Sequence, residues 1–210
     1  MYSRNKIVHK WKSPFRYLVI RELVFWRLID LLEDIVSLLK DSKVLGARLL
    51  LRGAFETLGI IIYINQKVHS LINSDIDFRH FNEITTRLVL GTKSNFSTVE
   101  SVNVLTVLEK CDKRYPGILD IYEDLSESSH PNFEGMSLGY SEIDQQEYIT
   151  YFKNRWPELY MKDMKHLIMT CIHTFEYEYN NEFPTLFDSL EKWIEQHDTK
   201  LNEEIENTMR

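Results

Sequence analysis

The chain has 210 residues, of which 43% are hydrophobic, with 5 Pro, 7 Gly and 2 Cys. A chain of this length buries about 70% of the surface its unfolded form exposes, so it needs no disulfide to fold. So little Pro and Gly, without regularly spaced turn signals, excludes a loop-rich or all-β architecture; Cys111 and Cys171, far apart and outside any CxxC spacing, read as free buried thiols in a reducing compartment.

The net charge of −7 is unevenly distributed: residues 1–28 hold seven Lys/Arg against Glu22 alone, and residues 176–210 hold ten acids against three bases. Residues 1–12 form a basic N-terminal segment without the apolar core of a signal peptide. Ser13-Pro14 reads as an N-cap followed by Pro in the first turn. From there Leu18, Phe25, Leu28, Leu32, Ile35 and Leu39 recur at helical spacing, until Asp41-Ser42 breaks the run and Ser42 offers a cap to the next helix. That second helix, about 43–73, is apolar on nearly every side, as in the central helix of a bundle. Gly46 and Gly53 share one of its faces, which favours close approach of a neighbouring helix. Its apolar stretch Leu58–Ile64 falls far short of the roughly 20 residues that cross a bilayer. No membrane association and a cytoplasmic location are expected.

A third helix is predicted over Asp77–Leu90, then a loop from Gly91, a helix from about Val99 to Lys113, a turn at Tyr115-Pro116-Gly117 and a short helix over Ile118–Ser129 that Pro131 ends. Residues 132–146 read as an irregular loop. Helix is expected to resume over 147–155, then from Pro157 to about Tyr179. Pro184 opens an acidic C-terminal helix within 184–210. No repeat, low-complexity tract or linker interrupts the chain. The expected fold is all-α: a single domain over 1–210, an up-down helical bundle of about five to seven helices.

Arg48, Arg52 and Glu56 follow at i, i+4, i+8 and share one stripe of the second helix. Arg52 and Glu56 sit among Leu51, Ala54, Phe55 and Leu58. Buried charges need partners, so these residues are either a core ion pair or a polar pocket for an anion or substrate. Tyr122, Ser126 and His130 share a face of the 118–129 helix, with His130 at the C-terminal end, where the helix dipole favours imidazolium. Asn132 follows closely. Ser126 and His130 are not a hydrolase dyad by themselves, and no GxSxG accompanies them. Glu127-x2-His130 is half of a di-iron carboxylate pattern, but Asp77-x2-His80 and Asp163-x2-His166 lack the right acid. His166 and His173 are two turns apart, roughly 10 Å. No metal site is expected. The nucleotide-binding GxxxxGK[ST] and GxGxxG loops are absent, and no cofactor is expected.

Two segments form a further pattern: Ala47–Glu56, with Arg52-x3-Glu56, and 104–135, with Leu125-Ser126-x3-His130-Pro131-Asn132. Over roughly residues 40–145 the chain resembles a bacterial family of uncharacterised helical proteins related to the HEPN (higher eukaryotes and prokaryotes nucleotide-binding) superfamily. The resemblance implies an up-down bundle, often a homodimer, of the kind found in toxin–antitoxin, abortive-infection and other defence systems. It also implies possible RNA, nucleotide or protein partners. Catalytic members are metal-independent ribonucleases carrying Arg-x4-6-His near a helix end. His130 matches that histidine, but positions 123, 124 and 125 hold Glu123, Asp124 and Leu125 rather than arginine. The expected function is therefore a HEPN-like binding or assembly component built on a cluster of Arg52, Glu56, Ser126, His130 and Asn132, with Arg48 and Tyr122 beside it. The enzyme alternative is an endoribonuclease in which His130 is the acid or base and Arg52 or Arg48 the cation. A purely structural scaffold is the third reading.

Overall fold

Apolar periodicity becomes helix at nearly every place it occurs. The computed structural model describes residues 5–94 and 97–208, and among them are seven α-helices: α1 Lys12–Lys40, α2 Val44–Ile72, α3 Phe78–Leu90, α4 Val104–Asp112, α5 Ile118–Glu127, α6 Trp156–Tyr177 and α7 Phe183–Thr208. One antiparallel hairpin, β1 Ser141–Asp144 with β2 Ile149–Phe152, completes the regular structure, together with a 3₁₀ turn at Val8–Lys10 and π-helical turns at Phe133–Leu138 and Glu178–Glu182. The fold is an all-α helical bundle. Residues 1–4 of the basic segment and 209–210 of the acidic helix lie outside the described residues.

The helix ends show what stops each run. Ser42 does not cap α2. It takes φ 57° as the left-handed residue that closes α1, with Lys43 N–H donating to Leu38 C=O at 2.8 Å and Ser42 N–H to Leu39 C=O at 3.0 Å. Ser74 (φ 64°) ends α2 in the same way, through Asp75 N–H to Ser70 C=O. Asp77, placed inside the third helix by the sequence reading, stands just before α3 as its N-cap and accepts from His80 N–H at 2.7 Å. Ser13 lies inside α1 instead of capping it, and its hydroxyl donates to Asn82. The fourth helix starts at Val104, five residues later than its apolar pattern suggests, because Thr92 pairs with Glu100 in an extended bridge and Asn103 supplies the cap to Leu105 N–H.

The chain divides into two compact units. The first comprises residues 1–24, 60–107 and 175–210. Its core holds Ile61, Ile62, Ile64, Val68 and Leu71 of α2 with Phe81 of α3 and Leu190 and Ile194 of α7, all buried. Phe78 stacks on Trp193 and meets Trp11 edge-on. The second unit comprises 25–59 and 108–174. Leu28 and Ile35 of α1, Ala47, Leu51, Ala54, Phe55 and Leu58 of α2, Leu125 of α5 and Met164 and Cys171 of α6 are buried there. The all-round apolar character of α2 is thus used in both units. Gly46 serves close approach: a Cβ there would stand 3.2 Å from a methyl of Leu38 on α1.

The largest departure from the sequence reading falls on residues 132–155. The segment 132–146 is not irregular, and 147–155 is not helix. Asn132 opens the π turn, and β1 and β2 follow in register, with Ser141 opposite Phe152 and Asp144 opposite Ile149. The turn is made by the Asp144 carboxylate, which accepts from Gln146 and Glu147 N–H, and by Tyr148 at φ 55°. No Gly or Pro marks it, and Ile149-Thr150-Tyr151-Phe152 is the β-branched and aromatic composition that suits a strand.

Candidate functional site

In the second unit, Arg48 is the buried charge. Its side chain is 1% exposed, and α2 holds it against α5 and α6. Nε donates to Ser128 Oγ at 2.7 Å, and Nη2 to Asp124 C=O at 3.0 Å and to Asp124 Oδ2 at 2.9 Å. The guanidinium lies 4.1 Å from the ring centroid of Tyr160. An arginine on the last carbonyls of a helix satisfies acceptors that have no intrahelical partner and complements the dipole. Arg48 therefore caps α5 from another helix. Asp124, where the ribonuclease pattern would place arginine, instead supplies its counter-charge.

Tyr160 extends this network. Its ring stacks on Trp156 (centroids 5.2 Å), and its hydroxyl donates to Glu134 in the π turn at 2.7 Å. Burial, then the hydrogen bond to the Glu134 carboxylate, pushes its phenol up to about 12. Asp124, Ser128, Tyr160 and Glu134 escape a sequence reading because nothing local in the chain points to Arg48.

Arg52, one turn on, makes a shallower cluster. Its Nη2 donates to the Tyr122 hydroxyl at 2.8 Å and lies 3.3 Å from Glu56 Oε1; Arg52 and Glu56 are 34% and 29% exposed. Its Nε is buried without a partner. Ser126 turns back onto Tyr122 C=O at 2.7 Å, an i−4 bond within α5. The structure thus joins Arg52, Glu56 and Tyr122, and binds Ser126 to the backbone behind them. Asn132 goes elsewhere: it donates to Glu127 Oε2 at 2.5 Å and accepts from Gly135 N–H at 2.9 Å. His130 is exposed, and among the described residues its side chain makes no hydrogen bond or ion pair. Gly135 packs so close behind that a Cβ would stand 2.0 Å from His130 C=O.

The same network fixes the base of the hairpin. Arg155 Nη1 donates to Ser141 C=O, Arg155 N–H to Gly139 C=O and Lys153 N–H to Tyr140 C=O. Gly139 lies flat on Trp156, where a Cβ would meet the indole at 2.6 Å. Lys153 bridges Glu142 and Glu158, and its hydrogen bond to Glu142 raises its pKa. The π turn and the hairpin leave large apolar side chains in solvent: Phe133 and Met136 of the turn, Ile143 and Phe152 of the strands and Tyr148 at the tip are 73%, 57%, 66%, 82% and 93% exposed.

The first unit holds a buried polar chain that the sequence reading missed. Tyr17 donates to Asn65 Oδ1 at 2.6 Å, and Asn65 donates to Glu178 Oε2 at 2.6 Å and to Glu178 C=O at 3.2 Å. All three are buried, and Glu178 begins the π turn between α6 and α7. Burial, and then the Glu178 and Glu182 carboxylates, hold the Tyr17 phenol well above its usual value. Asn65 within an otherwise apolar stretch of α2 is the signal that would have found it.

Both cysteines are buried free thiols, and burial pushes Cys171 up to about 12. Among the described residues no group of three or more His, Cys, Asp or Glu side chains is placed to hold a metal ion, and no helix is long and apolar enough to cross a membrane. The chain matches no protein-family model, no curated protein and no solved structure.

Proposed function

We propose that this protein works by docking rather than by catalysis: a helical framework that presents the segment 133–152 to a macromolecular partner, as a binding or assembly component. The observation that carries this reading is the hairpin. A two-stranded ribbon in water is marginally stable by itself. Here its base is held by Arg155, Lys153 and Trp156 while its large apolar side chains stay in solvent. Exposed apolar surface of that extent marks an interaction site.

The HEPN resemblance supports a place for such a component in a bacterial defence or toxin–antitoxin system. The ribonuclease alternative needs a cation at His130 to stabilise phosphorane charge. Arg48 is committed to Asp124, Ser128 and Tyr160, and Arg52 to Glu56 and Tyr122, which favours docking over cleavage.

A photo-crosslinking amino acid in place of Tyr148, in cells expressing the full chain, tests this reading. It is expected to give an adduct that the same substitution at the exposed Arg79 of α3 does not. Digestion with nuclease or protease then sorts the partner. Equal labelling at both positions, or none at 148, rejects docking through the hairpin. Cleavage of structured RNA that His130→Ala abolishes would replace the reading with the enzyme.

A further inference from the structure

The hydrogen-bond register decides which backbone groups of the ribbon are used. Lys153 N–H donates to Tyr140 C=O, so the bonded pairs of the ladder are Tyr140 with Lys153, Glu142 with Tyr151 and Asp144 with Ile149. Ser141, Ile143, Thr150 and Phe152 then turn their N–H and C=O groups outward. On the β1 side, Ser141 C=O is taken by Arg155 Nη1. On the β2 side every residue from Ile149 to Phe152 is exposed, and among the described residues nothing bonds to the outward groups of Thr150 and Phe152. This edge carries neither the Pro nor the charge that commonly blunts an exposed strand.

We propose that the open edge of β2 takes an extended polypeptide segment in which Lys or Arg alternates with apolar residues, added as a third strand. The inference rests on the docking reading above and names the partner's chemistry. Unpaired N–H and C=O groups in extended register select a backbone of the same kind, which nucleic acid lacks. A two-stranded ribbon is marginal in water, and a third strand stabilises it. Charge selects the rest. Residues 133–152 hold Glu134, Glu142, Asp144 and Glu147 and no Lys or Arg, in a chain of net charge −7. Such a surface repels phosphate and attracts cations.

The two faces of the ribbon set the alternation. Ser141, Ile143, Thr150 and Phe152 share one face, which bears no charge; Glu142, Asp144, Ile149 and Tyr151 share the other, with both strand carboxylates. An added strand alternates in phase with β2. Its residues beside Thr150 and Phe152 meet the apolar surface of Phe152 and Ile143. Its residues beside Ile149 and Tyr151 lie on the face of the carboxylates. A Lys or Arg there packs against the Tyr151 ring and reaches towards Asp144, about 10 Å away on the next strand but one. Lys153, next in alternation on this face, already bridges Glu142 at 2.6 Å. Asp144 and Glu147 have no such cation among the described residues.

Fluorescence anisotropy of a labelled peptide of about ten residues, alternating Lys and Val, tests this on titration with the purified full chain from about 1 to 500 µM. The Lys–Val peptide is expected to saturate, and a Glu–Val peptide of the same length not to bind. Methylating the peptide's backbone nitrogens removes its strand donors and should weaken binding roughly tenfold or more, with the protein unchanged. Thr150→Pro should do the same from the protein side, since that N–H points outward and the ladder to β1 survives its loss. Asp144→Asn combined with Glu147→Gln keeps the oxygen that accepts from Gln146 and Glu147 N–H, and should weaken binding by about three- to tenfold. No binding of the Lys–Val peptide overturns the inference, and so does equal binding of the Glu–Val peptide. Binding indifferent to methylation and to Thr150→Pro also overturns it, as attraction to net charge alone. An adduct at position 148 that nuclease removes, or a protein adduct there without peptide binding, overturns the cationic strand and leaves docking standing.

Discussion

Arg48→Ala is the perturbation whose cost the geometry defines best. It removes hydrogen bonds to Ser128, to Asp124 C=O and to Asp124 Oδ2, and a cation–π contact with Tyr160. Hydrogen bonds to charged groups contribute about 1.5–3 kcal/mol each when buried. Asp124 is 53% exposed and rehydrates, so its share is small. Ser128 is buried and is left without its donor, at about 1–3 kcal/mol. Loss of the ring contact adds about 1 kcal/mol. The sum is about 3 kcal/mol, which lowers the melting temperature of a chain this size by roughly 6–12 °C. Arg52→Ala is the internal comparison: its partners are Tyr122 and the part-exposed Glu56, and about 1 kcal/mol is expected. Thermal unfolding followed by circular dichroism measures both, and hydrogen exchange locates the loss, which should concentrate in residues 124–138. If Arg48→Ala costs no more than Arg52→Ala, or if protection in 124–138 is unchanged, Arg48 does not cap α5 and the account of the site fails.

Asn65→Ala should cost about 1–3 kcal/mol in urea unfolding, because it removes the acceptor of the buried Tyr17 hydroxyl and one donor to the Glu178 carboxylate; a loss well below about 1 kcal/mol would show that chain to be incidental. Gly135→Ala should release the π turn, since its Cβ would stand 2.0 Å from His130 C=O; faster exchange across 132–138 with α1 and α2 unchanged is expected, and unchanged exchange refutes it. Tyr160 is neutral until about 12 in the folded chain but ionises near its ordinary value once unfolded. Its contribution to stability is therefore intact below about pH 10 and lost as pH rises from there towards 12. Stability measured across that window should fall less steeply in Tyr160→Phe than in the parent, and an equal or steeper fall counts against it. The Cys171 thiol, buried and pushed up to about 12, should resist a disulfide reagent at neutral pH until the chain unfolds; prompt reaction in the folded protein would contradict the burial.

Much of the helical framework was legible because its causes are local. Asp77 caps α3 through its own neighbour His80, Pro157 and Pro184 fall in the first turns of α6 and α7, and the all-round apolar pattern of α2 marks a helix with no solvent face to keep. The hairpin was not legible. Its turn uses an Asp144 side chain and a left-handed Tyr148 where a sequence reading looks for Gly or Pro, and four-residue strands are too short for alternation to separate from helix. The site was half legible. Arg52 and Glu56 stand one turn apart, and burial demanded partners for them and for Arg48. Which partners was decided across 76 and 80 residues, where Asp124 and Ser128 reach Arg48, and across 113 residues, where Glu178 reaches Asn65. What the chain determined alone is where it coils and which charges cannot stay unpaired. Which carboxylate or hydroxyl meets each of them, and which apolar side chains remain in water, is set only when distant segments pack, because desolvation and hydrogen-bond geometry act through space and not along the chain.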